Sequence, residues 1–156
     1  MFREALERLA GPLSEVELDR LEAHYNLMVR WNRRLNLTRI IEPEEAARRH
    51  YAESIALARE LPRGALRVAD IGSGAGFPGI PIAVVRPECS VCLIESHKRK
   101  AVFLREATRD LPNVVVIAER AESVRATFDW VVSRGVKWEG LAEVAARLAP
   151  NSTRST

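Results

Sequence analysis

The chain has 156 residues, 47% of them hydrophobic, and a formal net charge of +3. That length suits one domain with a real core, and no run of about 18 apolar residues offers a membrane span. Charge begins at Arg3, where a secretory signal would be apolar, so the expectation is a cytoplasmic protein.

In chain order, the first part reads as helices. Phe2, Ala5, Leu6 and Leu9 share one helical face, which Gly11-Pro12 ends. Ser14-x-x-Glu17 is a capping box. After it Leu18, Leu21, Tyr25, Met28 and Leu35 recur at helical spacing, which predicts an amphipathic helix to about Leu35. Pro43 with Glu44 and Glu45 opens another helix, carrying Ala47, Tyr51, Ile55 and Ala58 inward as far as Pro62. The second part alternates. Strands are expected at 66–71, 91–94, 114–117 and 128–132, and helices at 81–85, 98–110 and 138–148. The 98–110 helix should turn Val102, Phe103 and Ala107 inward. Apolar strands alternating with helices predict an α/β fold, a parallel sheet covered on both faces. The organisation is a helical region at 1–62, an α/β core at 63–150 and a frayed polar tail at 151–156.

The most informative stretch joins the first strand to its helix: Asp70-Ile-Gly-Ser-Gly-Ala-Gly-Phe-Pro-Gly79. Glycines there let the backbone take positive φ and approach a ligand that a Cβ would block. The dinucleotide fingerprint needs a third glycine or alanine where Phe77 stands, and no Gly-Lys-Ser/Thr makes a P-loop. Gly72-x-Gly74-x-Gly76 is more typical of S-adenosylmethionine (SAM) sites, with a plain tight turn as the competing reading. In such folds the ligand lies at the carboxyl ends of the strands. The second strand ends at Glu95, a carboxylate that can accept both ribose hydroxyls. Arg120-Ala121-Glu122 follows the third strand, where an adenine edge would lie. Ser133-Arg134 ends the fourth, over the methionine end of such a cofactor; a surface salt bridge is the competing reading for Arg134. No Asn/Asp-Pro-Pro-Tyr, no Pro-Cys nucleophile and no Ser/His/Asp set suggests exocyclic-amine or cytosine-C5 methylation or hydrolysis.

Arginines cluster at 30–49 and, with lysines, at 98–109, which suits forked contacts to phosphates, with a solvated basic surface as the competing reading. Cys89-x-x-Cys92 lacks two further ligands at zinc spacing, and His24, His50 and His97 show no metal pattern, so no metal is expected.

Together these motifs resemble the RsmG (GidB) family of bacterial 16S rRNA guanine-N7 methyltransferases. Trp31-Asn32-x-x-Leu35-Asn36-Leu37-Thr38 is similar to its N-terminal signature, and Arg49-His50-x-x-Glu53-Ser54 to its Arg-His-x-x-Asp-Ser element, with Glu for Asp. Residues 70–81 are nearly its SAM loop, and Leu93-Ile94-Glu95-Ser96, Arg120-Ala121-Glu122 and Ser133-Arg134 continue the likeness. The resemblance implies a Rossmann-like SAM-dependent methyltransferase sheet of order 3-2-1-4-5-7-6, of which this chain would hold four strands and lack the last ones. Trp130, Val131 and Val132 would then lie near an open edge, short of apolar cover. It implies SAM held by Gly72, Gly74, Phe77, Glu95, Ala121, Glu122 and Arg134, with Phe77 placed to touch cofactor or base. It implies a monomer acting on 16S rRNA or the small ribosomal subunit, with Arg33, Arg34, Arg48 and Arg49 on its phosphates and no catalytic base assigned. Two alternatives remain open here: a SAM enzyme for another substrate, and a shortened SAM- or RNA-binding chain with little turnover.

Overall fold

Two separate apolar layers sandwich one parallel sheet. The computed structural model describes residues 1–135 and 138–150, with backbone alone at Trp138 and Glu139; the expected polar tail lies outside them. The elements are α1 (Phe2–Ala10), α2 (Glu15–Asn32), α3 (Pro43–Ala46), a π-helical segment (Ala47–Ala52), α4 (Glu53–Glu60), β1 (Arg67–Ile71), α5 (Gly79–Val85), β2 (Ser90–Ile94), α6 (Lys98–Ala107), β3 (Val114–Ile117), a 3-10 turn (Ala121–Ser123), β4 (Trp130–Ser133) and α7 (Trp138–Leu148). The four strands pair in parallel in the order β3-β2-β1-β4, as expected of the first four.

Alternation along the strands sorts side chains to the two faces. Val68, Val91, Leu93 and Val132 join the cluster under the N-terminal helices, with Leu6, Leu21, Met28, Tyr51 and Phe103. Ala69, Ile71, Cys92, Ile94 and Val131 face the other way, against Leu141, Ala145 and Leu148 of α7. Residues 1–62 and the sheet therefore share one core.

This arrangement corrects four expectations. Val131 and Val132 are each 1% exposed although β4 has no strand on its outer side among the described residues. α7 and the helical layer cover their side chains, so an edge in hydrogen bonding is not an edge in packing. Helix α6 turns Ala101, Phe103 and Leu104 inward and leaves Val102 52% exposed, one residue and about 100° off the core face. Helix α2 stops at Asn32 because that side chain caps the next loop. Its Oδ1 accepts from the Leu37 and Thr38 N–H groups, and its amide donates to the Thr38 carbonyl. The expected helix from Pro43 is real, but its middle is wound as π-helix around Arg49 and His50. Cys89 and Cys92 are buried free thiols, with burial raising Cys92 to about 11. Among the described residues no helix is long and apolar enough to cross a membrane.

Candidate cofactor site at the strand ends

The loop after β1 takes positive φ at Gly72 (70°), Gly74 (58°) and Gly76 (103°). It is held from below by backbone bonds: Gly72 N–H donates to the Ile94 carbonyl at 2.8 Å and Gly76 N–H to Ser73 at 2.8 Å. Glu95, 7% exposed, ties the loop to the next helix. One carboxylate oxygen accepts from Gly74 N–H at 2.8 Å and the other from His97 N–H at 2.9 Å. A groove of about 200 Å³ opens at the ends of β1, β2 and β3, lined by Gly72, Ser96, Glu119, Arg120, Ala121 and Glu122, with Leu141 and Val144 of α7 opposite. Gly72, Ala121 and Glu122 thus meet in one depression, with Gly74 and Glu95 joined next to it. Ser96, which closes the Leu93-Ile94-Glu95-Ser96 motif, also belongs to its wall, as do Glu119 and α7, which nothing in the residue pattern singled out for the site.

Phe77 and Arg134 stand elsewhere, in a cluster that sequence reasoning did not assemble. Arg134 donates to His50 Nδ1 at 2.6 Å and to the Arg49 carbonyl at 3.2 Å. A guanidinium only donates, so Nδ1 must accept and the His50 proton sits on Nε2. Nε2–H then donates to Thr38 Oγ1 at 2.8 Å, an oxygen that also accepts from Ile40 N–H. His50 is therefore neutral and doubly engaged; burial first, then the Arg134 charge, depress it to about 4. Its ring stacks on Phe77 at 4.4 Å and 11°. The Arg134 guanidinium lies 5.5 Å from the Phe77 centroid. Phe77 is 5% exposed, so its ring is enclosed by protein and is not free to meet a base, against expectation.

A second histidine repeats the device. His24 faces the Ala75 carbonyl at 2.8 Å through Nε2 and Tyr51 OH at 2.8 Å through Nδ1. A carbonyl only accepts, so Nε2 carries the proton and Nδ1 accepts from the hydroxyl. Burial depresses His24 to about 4. One histidine from α2 thus grips the glycine loop, and one from the π-helical segment grips the end of β4. The residue types at 31–38 and 49–54 flagged this region, but their contact with Arg134 spans 84 positions and has no local signal. Asp70, also missed, is fully buried. One of its oxygens accepts from Gly79 N–H at 2.9 Å at the start of α5, and the other has no partner among the described residues. Burial raises its pKa well above the carboxylate range.

The four arginines expected on RNA separate into two groups. Arg33 and Arg34 line a groove between α2 and α6. Arg48 and Arg49 sit on the π-helical segment, paired with Glu44 at 3.2 Å and Glu45 at 3.4 Å. Among the described residues no three His, Cys, Asp or Glu side chains are placed to hold a metal ion.

Comparison with known proteins identifies the family and the fold. The family model for GidB, rRNA small subunit methyltransferase G, matches residues 17–153. The ribosomal RNA small subunit methyltransferase G of Desulforamulus reducens is 39% identical over 145 residues, covering 86% of this chain and 60% of that protein. The Nitrosospira multiformis protein of the same name is 43% identical over 135 residues, covering 84% and 62%. The chain thus spans under two thirds of these relatives' length. Among solved structures, a protein-L-isoaspartate O-methyltransferase from Plasmodium falciparum with S-adenosyl-L-homocysteine aligns at TM-score 0.57 and 17% identity, over 94% of this chain and 78% of that one. M. jannaschii TYW2 with AdoMet aligns at TM-score 0.55 and 22% identity, over 62% and 46%. The fold is that of SAM-dependent methyltransferases, Rossmann-like.

Proposed function

The chain belongs to the GidB family, rRNA small subunit methyltransferase G, and from that membership we propose that it is a SAM-dependent enzyme methylating N7 of a guanine in 16S rRNA. The observation carrying the cofactor half is the open glycine loop joined to an acidic strand end. A Cβ built at Gly74 meets nothing closer than the Gly72 carbonyl at 3.9 Å, so ligand atoms have room there. Each Glu95 oxygen uses one lone pair on a backbone N–H and keeps another for a ribose hydroxyl. Gly72 brings backbone close, Ala121 and Glu122 wall the adenine side, and Arg134 offers a cation to the methionine carboxylate. Phe77 contributes through its backbone, its ring being committed to His50.

Bound SAM supplies an electrophilic methyl on a sulfonium. Guanine N7 carries an in-plane lone pair and no proton, so its methylation requires placement in line and charge stabilisation rather than a base. The site agrees with that demand: His24 and His50 have both ring nitrogens engaged, and Asp70 is enclosed. Arg33, Arg34, Arg48 and Arg49 are proposed contacts to RNA phosphates. The test is calorimetric titration with SAM and with NAD, then labelled methyl transfer to 30S subunits from cells lacking the modification. Binding of SAM with incorporation into one 16S guanine is expected. Tighter binding of NAD, or methylation of protein with RNA unlabelled, overturns the reading.

A further inference from the structure

A second, wider groove lies apart from the cofactor site. It measures about 690 Å³ and runs between α2 and α6. Its rim carries four arginines: Arg30, Arg33 and Arg34 from the end of α2 and Arg99 from the start of α6. All four are exposed, and none has an acidic partner among the described residues. By contrast Arg3, Arg8, Arg48, Arg49 and Arg86 each hold a carboxylate. Arg99 also sits in a first helical turn with Lys98 and Lys100 and no acid, where cations oppose the helix dipole; folding alone does not favour them there.

Between the guanidiniums lie apolar surface and a fixed aromatic. Val102, turned outward, lines the groove beside Trp31. Trp31 Nε1–H donates to Glu106 at 2.9 Å, and its ring meets Phe103 at 5.6 Å and 64°. The indole is thus oriented in advance, so stacking on it loses little side-chain entropy. Exposed guanidiniums around a held aromatic fit a single strand of nucleic acid, whose phosphates take the charges while a base takes the ring. An acidic polypeptide would match the charge but leave the Trp31 platform unused.

We propose that this groove seats a single-stranded segment of the RNA substrate, with phosphates on Arg30, Arg33, Arg34 and Arg99 and a base against Trp31. The inference rests on the rRNA reading above. Its consequence is that Arg33 and Arg34 act with Arg99, across α2 and α6, rather than with Arg48 and Arg49.

The test measures binding of labelled 16S rRNA fragments and short oligouridylate across a salt series. The variant R30Q/R33Q/R34Q/R99Q touches only exposed side chains, and its SAM affinity is expected within about threefold of the parent. The slope of log K against log salt should fall by about 0.7 for each single-strand phosphate that the variant leaves unneutralised, so by roughly 2–3 in all. R48Q/R49Q, already neutralised by Glu44 and Glu45, should change it by less. Oligouridylate should quench Trp31 fluorescence, and W31F should remove that quenching. An unchanged slope in the quadruple variant, with the parent binding RNA, overturns the groove alone. A parent that binds no RNA overturns both the groove and the RNA half of the proposed function. Polyglutamate displacing RNA at equal charge, with no quenching at Trp31, would mark the face as one for acidic protein and overturn the proposal.

Discussion

Replacing His50 by phenylalanine separates positioning from packing. The ring is kept, so stacking on Phe77 at 4.4 Å survives, but the acceptor for Arg134 and the donor to Thr38 are removed. The Arg134 contact is short and charge-assisted, a class contributing about 1.5–3 kcal/mol. Arg134 keeps its bond to the Arg49 carbonyl and its place over Phe77, the latter contributing about 0.5–2 kcal/mol. The guanidinium is therefore loosened rather than released, and the deficit is about 1–2 kcal/mol in ordering Arg134 for the cofactor. At 1.4 kcal/mol per decade, SAM Kd should rise roughly 5- to 30-fold. Calorimetry on H50F, R134A and the double variant reads this directly. H50F/R134A should be no weaker than R134A, because His50 acts only through the arginine. T38V, which frees only the far end of the chain of bonds, should shift Kd less than H50F. SAM affinity within about twofold of the parent in H50F, with R134A clearly weakened, would refute the argument.

Gly79→Ala should destabilise the fold. Its Cβ would lie 2.3 Å from Leu93 Cδ2 and 2.7 Å from an Asp70 oxygen, both in the interior, and overpacking of this kind costs about 1–3 kcal/mol; urea midpoints measure it. Gly140→Ala, in α7 with nothing within 4 Å, should instead raise the midpoint by about 0.5–1 kcal/mol equivalent. Gly72→Val should abolish SAM binding by calorimetry, since a β-branched residue is strained at φ 70° and would fill ligand space. Acid should destabilise the chain through His24, whose folded pKa of about 4 lies below the usual 6.5. The unfolded chain takes the proton first, so stability present above pH 6.5 is lost as pH falls toward 4, by about 3 kcal/mol. Asp70 works in the opposite sense, its raised pKa relieving a buried charge on acidification, so the comparison of H24Q with parent belongs in a D70N background, where H24Q should flatten the profile.

What was legible in the residues is what is local. Gly72-x-Gly74-x-Gly76 prescribes a turn, and the near-continuous apolar runs expected at 66–71 and 91–94 prescribe strands buried on both faces, as β1 and β2 are after their first residue. Glu95 follows from counting to a strand end. Pairings across distance were not legible: His24 with Ala75 spans 51 positions, and His50 with Arg134 spans 84. Neither the absence of a metal pattern around His24 nor the motif that contains His50 names these contacts, because each partner belongs to another part of the chain. Val102 misled for a subtler reason. Its apolar character fits either face of α6, and Ala101 and Leu104 decide the phase.

The π-helical segment from Ala47 to Ala52 makes chain length itself a specificity element. A helix with one residue more than its turns require hands everything after it a shifted phase. Before the segment, Ala46 points to the core; after it, Ile55 and Ala58 do so as well, all at 0% exposure. Deleting a single residue from 47–52 would regularise the winding, yet turn Ile55 and Ala58 about 100° toward solvent or swing His50 off Arg134. Either outcome separates the helical layer from the strand end that it steadies. A one-residue gap at this point, harmless in an ordinary surface helix, would here distinguish chains able to hold Arg134 from chains that only share its sheet.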